Sequence, residues 1–352
     1  MQRQQDKVLL MITLVGLGLI GGVFGLVAWL IDGDSWTEST LPSGGNNNLS
    51  DSSVPLAEGQ LGSVQQVPAG LFNYGGSTTW IPIHETVNRS IANAFPDFQL
   101  RYTLPSGDAP GSGSGIKMLL GGQLSFSESS RPLKPGEHDT AERSNFSLEQ
   151  IPVAIDGIAL AVNPELDIAG LDVEQIKAIY TGEITNWSDL GGPDLPIQAY
   201  SRSPEEAGTA QFFLDFVIDA DTYGSNVSFV SDTTTGIRQV ANEPGGIYYA
   251  SAPEVVNQCS IYAIPVASQS RPNNFVRPYS GVWRTGGDCL EQANTINTAV
   301  FREGSYPLTR RLFVIVKADG ASDEAAGRAY ANMLLSPEGQ TLIQQAGFVN
   351  VR

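Results

Sequence analysis

Gly111-Ser-Gly-Ser-Gly-Ile-Lys-Met-Leu-Leu120 follows the alternating run Phe98-Gln-Leu-Arg-Tyr-Thr-Leu104 and leads into the apolar residues from Ile116 to Leu120. The alternation predicts a strand, and the apolar residues predict the start of a helix. A strand, a glycine-rich turn and a helix N-terminus, in that order, make an anion cradle. The first helical N–H groups have no intrahelical acceptor, and the helix dipole favours negative charge beside them. Glycine lets the backbone come close to a ligand. Ser112 and Ser114 add hydroxyl donors, and Gly113 lies between them. One such run is also what a plain turn with a serine N-cap looks like. Its recurrence is what gives it meaning.

The pattern occurs twice more. Gly75-Gly-Ser-Thr-Thr79, with hydroxyls on Ser77, Thr78 and Thr79, follows a short strand at Leu71–Tyr74 and opens a helix running to about Phe95. Arg202-Ser-Pro-Glu-Glu-Ala-Gly-Thr209 follows a strand at Gln198–Ser201 and opens an apolar helix from Ala210 to Ile218. Gln123–Phe126 predicts another short strand. Ile151–Val162 is nearly all apolar, as a strand covered on both faces should be. Asp172–Tyr180 predicts a helix with Asp172 at its N-cap and Gly182 past its end. Leu312–Val316 is a late strand, Glu324–Leu335 a helix, and Ser336-Pro-Glu-Gly-Gln340 opens the last helix. This order predicts an α/β fold with parallel sheets. If the three loops converge, they surround a small anion with neutral donors and one guanidinium, whose fork matches an oxyanion. No general base, nucleophile or metal set accompanies them, which points to binding without a cofactor rather than to catalysis.

At 352 residues the chain is long enough for two packed lobes. Its net charge of −17 excludes a nucleic-acid-binding role and disfavours an anionic membrane surface. Its two histidines, His84 and His138, and its two cysteines, Cys259 and Cys289, are not at metal-ligand spacing. In an exported protein the two cysteines have only each other to pair with.

Val8 to Ile31 carries no charge over a length sufficient to span a bilayer. Arg3 and Lys7 precede it, and Asp32, Asp34 and Glu38 follow, which orients the rest of the chain outward. The run ends Val27-Ala-Trp-Leu-Ile31, a poor cleavage site, so an uncleaved inner-membrane anchor over 1–31 is expected rather than a signal peptide. Residues 32–66, rich in Gly, Ser, Asn and Pro, are expected to be a flexible linker.

Gly75 to Trp80, Gly111 to Ile116, Ile155-Asp-Gly-Ile-Ala-Leu-Ala-Val-Asn163, Gln175-Ile-Lys-Ala-Ile-Tyr-Thr-Gly-Glu-Ile-Thr-Asn-Trp-Ser188, Gly208-Thr209 and Ser336 to Gly347 occur in this order from about Val67 to Arg352. The set resembles the phosphate-binding proteins of the bacterial phosphate-specific ABC transporter. The resemblance implies a two-lobed periplasmic binding protein fold with two hinge strands, 158–163 outgoing and 312–316 returning. One lobe would then be 67–157 plus 317–352, and the other 164–311. It implies periplasmic phosphate capture by lobe closure and delivery to an ABC permease in the inner membrane. The phosphate contacts it implies fall on the loop of Ser77, Thr78, Thr79 and Trp80, with Trp80 giving its backbone N–H; on Ser112, Gly113 and Ser114; and on Arg202, Ala207, Gly208 and Thr209.

Two positions depart from the family's pattern. Ala207 stands where a serine is usual, which removes a hydroxyl and leaves a backbone N–H. Ser130, in Ser127-Glu-Ser-Ser-Arg-Pro132, stands where an aspartate usually accepts the phosphate's proton. Selectivity against sulfate is then open. Glu128 could swing in as an acceptor, or Arg131 could add a second cation; the other expectation for Arg131 is a surface pair with Glu128 or Glu137. Two rivals share the architecture: a site for another oxyanion such as sulfate, and a membrane-tethered phosphate sensor or scaffold.

Overall fold

Strand-forming runs and the glycines between them build a sheet that one long strand carries from one half of the molecule into the other. The computed structural model describes residues 61–351 apart from 206. The expected anchor over 1–31 lies outside the described residues, as does most of the linker. No helix among the described residues is long and apolar enough to cross a membrane.

In chain order the strands are β1 (Gly70–Gly76), β2 (Phe98–Tyr102), β3 (Phe126–Ser129), β4 (Ser147–Val162), β5 (Leu171–Asp172), β6 (Gln198–Ser201), β7 (Val227–Phe229), β8 (Gly246–Ser251), β9 (Tyr262–Ile264), β10 (Val266–Ala267), β11 (Tyr279–Ser280), β12 (Thr295–Ile296) and β13 (Thr309–Ala318). The main sheet runs β2-β1-β3-β13-β4-β8-β6-β7, with β9 also on β4. β1 pairs parallel with β2 and β3, and β6 pairs parallel with β7 and β8. β4 and β13 run antiparallel to their neighbours, so the sheet is mixed and not purely parallel as expected.

β4 is what makes one chain into two halves. From Ser147 to Gly157 it pairs with β13, and from Ile158 to Val162 it pairs with β8. Its residues from Asp156 onward are all buried, which accounts for the unbroken apolar run there. β13 enters at Thr309, opposite Gly157.

Local chemistry sets the helix ends. Asp172 accepts from the Gln175 amide at 2.8 Å and caps the helix Val173–Thr181, which stops at Gly182 with φ 87°. Ser336 accepts from the Gly339 amide at 3.0 Å and caps the last helix, Pro337–Gln345. The strand expected at Gln123–Phe126 starts at Phe126 instead. The expected linker ends early: Leu61 and Val64 are buried, and the Leu61 amide donates to Glu338 at 3.0 Å. Apolar side chains there find a groove and stop the chain from remaining solvated. Cys259 and Cys289 form a disulfide.

Candidate functional site

Each of the three loops closes into a turn that leads a helix. Thr78–Trp80 is a 3₁₀ turn running into α1 (Ile81–Ala94), and Ser112 starts α2 (Ser112–Leu120). α3 is Pro135–Arg143, α4 is Val173–Thr181, and α5 (Gly208–Phe213) continues as a π-helix over Leu214–Ile218.

The loops meet. Ser77 donates its hydroxyl to Ser130 at 2.8 Å, Ser130 and Ser112 share a bond of 3.1 Å, and the Ser130 amide donates to Ser112 Oγ at 3.0 Å. All three serines are buried. Gly208, from the other half of the molecule, is pressed onto them: a Cβ at this position would lie 2.4 Å from Ser112 Oγ. Thr78, Thr79, Arg202 and Thr209 line one cleft together with Thr233, Tyr248, Tyr249 and Glu254. The Arg202 Nε is buried without a hydrogen-bond partner.

Other expected members are committed elsewhere. Trp80 is fully buried, donates its indole N–H to the Ser129 carbonyl at 3.3 Å, and spends its backbone N–H on the Ser77 carbonyl at 3.1 Å. The tightness of the 3₁₀ turn causes this, and neither group faces the cleft. The Ser114 hydroxyl turns back to the carbonyls of Ala109 and Gly111. The Ala207 N–H donates to the Ser203 carbonyl at 2.9 Å, so it is not free as expected. Arg131 passes close to Gly113 and forks onto Glu137 at 2.6 and 3.0 Å. That pair is buried on the arginine side and not at the surface. Glu128 does not swing in. It is fully buried and held by His84 at 2.8 Å and by the Tyr330 hydroxyl at 2.8 Å.

A residue that sequence reasoning missed sits at the back of the site. Arg310 of β13 is fully buried. Its Nη2 donates to Thr209 Oγ1 at 3.1 Å and to Thr79 Oγ1 at 3.4 Å, while Nη1 reaches the Gly208 carbonyl at 3.4 Å. The guanidinium lies 5.4 Å from the Phe212 ring centroid, and its Nε has no partner. Burial pulls its pKa down to about 9, against the nearby Asp156 and Glu254, which hold it up. Asp156, the register partner of Arg310 across β4, is buried with neither carboxylate oxygen hydrogen-bonded. Burial raises its pKa, with Arg310 opposing. The available signal was a cation within Thr309-Arg-Arg-Leu-Phe-Val-Ile-Val316, an otherwise buried strand. Thr233 also carried a signal, because Ser231-Asp-Thr-Thr-Thr235 follows β7 and opens a helix just as the three loops do.

Residues 63–338 match the model of the PBP superfamily domain. The chain belongs to this superfamily. Relatives by sequence include the phosphate-binding protein PstS of Staphylococcus haemolyticus, 28% identical over 278 residues, covering 78% of this chain and 79% of the relative. PstS of Staphylococcus aureus (strain USA300) is 26% identical over 278 residues, covering 78% and 76%. By structure the chain is similar to a putative phosphate ABC transporter substrate-binding protein from Clostridium perfringens, with TM-score 0.60, 23% identity, and 80% and 100% of the two chains covered. It is also similar to an ABC-type phosphate transport receptor from Vibrio cholerae, with TM-score 0.59, 21% identity, and 79% and 99% covered. The family resemblance read from the ordered motifs therefore holds, and the two-lobed fold it implied is the observed one.

Proposed function

We propose that this protein binds inorganic phosphate outside the cytoplasm, by closing two lobes around it, for delivery to an ABC permease. The carrying observation is that Thr79, Arg202 and Thr209 line one cleft and that the buried Arg310 donates to both threonines. Donors come from both halves of the molecule, so one small anion can bridge them and favour the closed state. The lobe division we adopt is 67–157 plus 309–352 against 164–308, with 158–163 as the outgoing hinge strand; 312–316, expected as the return hinge, pair only with β3 and the first part of β4, so the return crossing is placed before Thr309. The pairing change in β4 at Gly157 and Ile158 supports the outgoing hinge. The names of the relatives support phosphate as ligand, and those of the structural neighbours support an ABC transporter as partner.

The site we assign is Ser77, Thr78, Thr79, Ser112, Ser130, Arg202, Gly208 and Thr209, with Arg310 added. These groups offer charge and hydrogen bonds and no activated nucleophile, which favours a binding protein over an enzyme. Anchoring through residues 8–31 rests on the uncharged run alone.

Isothermal titration of the protein with phosphate at neutral pH tests the proposal. Micromolar or tighter binding is expected, and Arg202→Ala should abolish it. Absence of heat with the unaltered protein would refute the proposal, and unchanged affinity in the variant would show that the site is misplaced.

A further inference from the structure

Tyr249 joins the two ends of the loop that supplies Arg202, Gly208 and Thr209. It is buried in β8, in register with Leu160 of β4. Its ring stacks on Phe213 of α5, with centroids 3.7 Å apart and an angle of 8° between the planes. Its hydroxyl lies 2.6 Å from Ser201 Oγ and 2.6 Å from the Tyr223 hydroxyl. Ser201 donates to the Arg202 carbonyl at 2.8 Å, where the loop begins. Tyr223 donates to the Ala210 carbonyl at 2.7 Å, just past the point where the loop ends.

Hydrogens can be counted along this chain. Three hydroxyls bring three hydrogens to four contacts. Ser201 and Tyr223 spend theirs on carbonyls, so the single hydrogen of Tyr249 serves two oxygens and points at one of them at a time. Burial pushes the pKa of both phenols well above the ordinary value, so each keeps its hydrogen. A chain one hydrogen short adds little to stability, because one contact always sets lone pairs against lone pairs. What it fixes is position: both ends of the loop are referred to one atom on a sheet strand.

We propose that Tyr249 is a positioning residue for the anion: through Ser201 and Tyr223 it holds both ends of the loop against β8, and so sets where Arg202, Gly208 and Thr209 present their donors. This rests on the phosphate reading of the site. Tyr249 also lines the cleft. Its hydrogen is committed to Ser201 or Tyr223, however, so its effect on the anion passes through the loop. Tyr249→Phe isolates that effect. The ring still stacks on Phe213, and Ser201 and Tyr223 still donate to their carbonyls. Only the link between the two ends is lost, and the shortage of hydrogens goes with it.

Calorimetry with phosphate and thermal denaturation without it, on the full chain, test this together. In Tyr249→Phe phosphate affinity should fall about tenfold, while the melting temperature does not fall. Full affinity, or a loss of affinity matched by a loss of stability, would overturn the proposal. In a background of Ser201→Ala with Tyr223→Phe, adding Tyr249→Phe should change the affinity less than about twofold, because the relay is already cut. A further large loss there would mean that the hydroxyl touches the anion, and the positioning role would fall. Amide hydrogen exchange reads the clamp without ligand. The Ala207 amide, which donates to the Ser203 carbonyl at 2.9 Å inside the loop, should exchange faster in Tyr249→Phe. Unchanged exchange would overturn the proposal even where phosphate binds. Faster exchange in the variant, with no heat from the unaltered protein and phosphate, would sink the phosphate reading and leave the clamp standing.

Discussion

Arg310 puts a full charge where nothing dilutes it. A buried guanidinium in a low-dielectric setting interacts strongly with any anion beside it, and it needs one. Asp156 and Glu254 are both pushed toward their neutral forms, which leaves Arg310 under-compensated until an anion arrives. Arg310→Met should therefore lower phosphate affinity by about a hundredfold or more in calorimetry. Arg310→Lys should fail to restore it, because an ammonium cannot reach Thr79 and Thr209 with a fixed fork. Full affinity in the lysine variant would contradict this. The acids also predict how stability varies with pH in the anion-free protein. The folded-state pKa of Glu254, about 8, lies above its ordinary value of 4.5, and that of Asp156 is raised in the same sense. The folded state then binds more protons than the unfolded one between these values. The stability this contributes is fully present below about pH 4.5 and is lost as pH rises through about 8. Urea titrations should show that decline, and Glu254→Gln should flatten part of it; identical slopes would count against the assignment. Thr79, Ser112, Arg202 and Thr209 were legible because hydroxyls and glycine recur where strands give way to helices. Arg310 and Glu254 were not. One sits inside a strand, where charge reads as an edge feature, and the other sits in a Pro-Glu first turn that resembles ordinary capping.

Helix openings bring these residues to one place, and their tightness decides which groups remain free. The 3₁₀ turn at Thr78–Trp80 consumes the Trp80 N–H but leaves the threonine hydroxyls in the cleft. α5 meets Ser112 and Ser130 through Gly208, where no side chain intervenes. The φ at Gly208 is not one that only glycine adopts, so the need for glycine is steric and acts between the two halves. Gly208→Ala should therefore leave the stability of the anion-free protein nearly unchanged, since the halves can part to admit the methyl group. Phosphate affinity should fall at least tenfold, because closure would force a Cβ against Ser112 Oγ at 2.4 Å. Thermal denaturation without ligand, run beside calorimetry with it, separates these effects. A large drop in melting temperature would mean that the contact holds the fold rather than the closed state. At this scale the sequence is most readable at capped ends. Asp172 and Ser336 mark helix starts by side-chain chemistry alone. The direction of β13 was not readable, because an apolar run fixes burial but not whether its neighbours run parallel.

In the whole molecule, net charge and local charge oppose each other. The chain carries −17, yet Arg202 lines the cleft and the buried Arg310 backs it through Thr79 and Thr209. An approaching phosphate meets the outer field first and the arginines only near contact. At about 10 mM salt the Debye length is about 30 Å, so the ion is repelled by the charge of both halves together. At about 150 mM it is about 8 Å, and only the mouth of the cleft is felt. Salt over that range therefore removes mainly the distant, repulsive part. The association rate should rise with added sodium chloride, opposite to the usual behaviour of a steered anion meeting a basic site. The dissociation rate should change little, because bound phosphate would be surrounded by donors from both halves and shielded from ions. Stopped-flow fluorescence at constant pH, with chloride varied, reads both rates. An association rate that falls with salt would mean that the two arginines govern the long-range field and that the surface acids are arranged away from the cleft mouth.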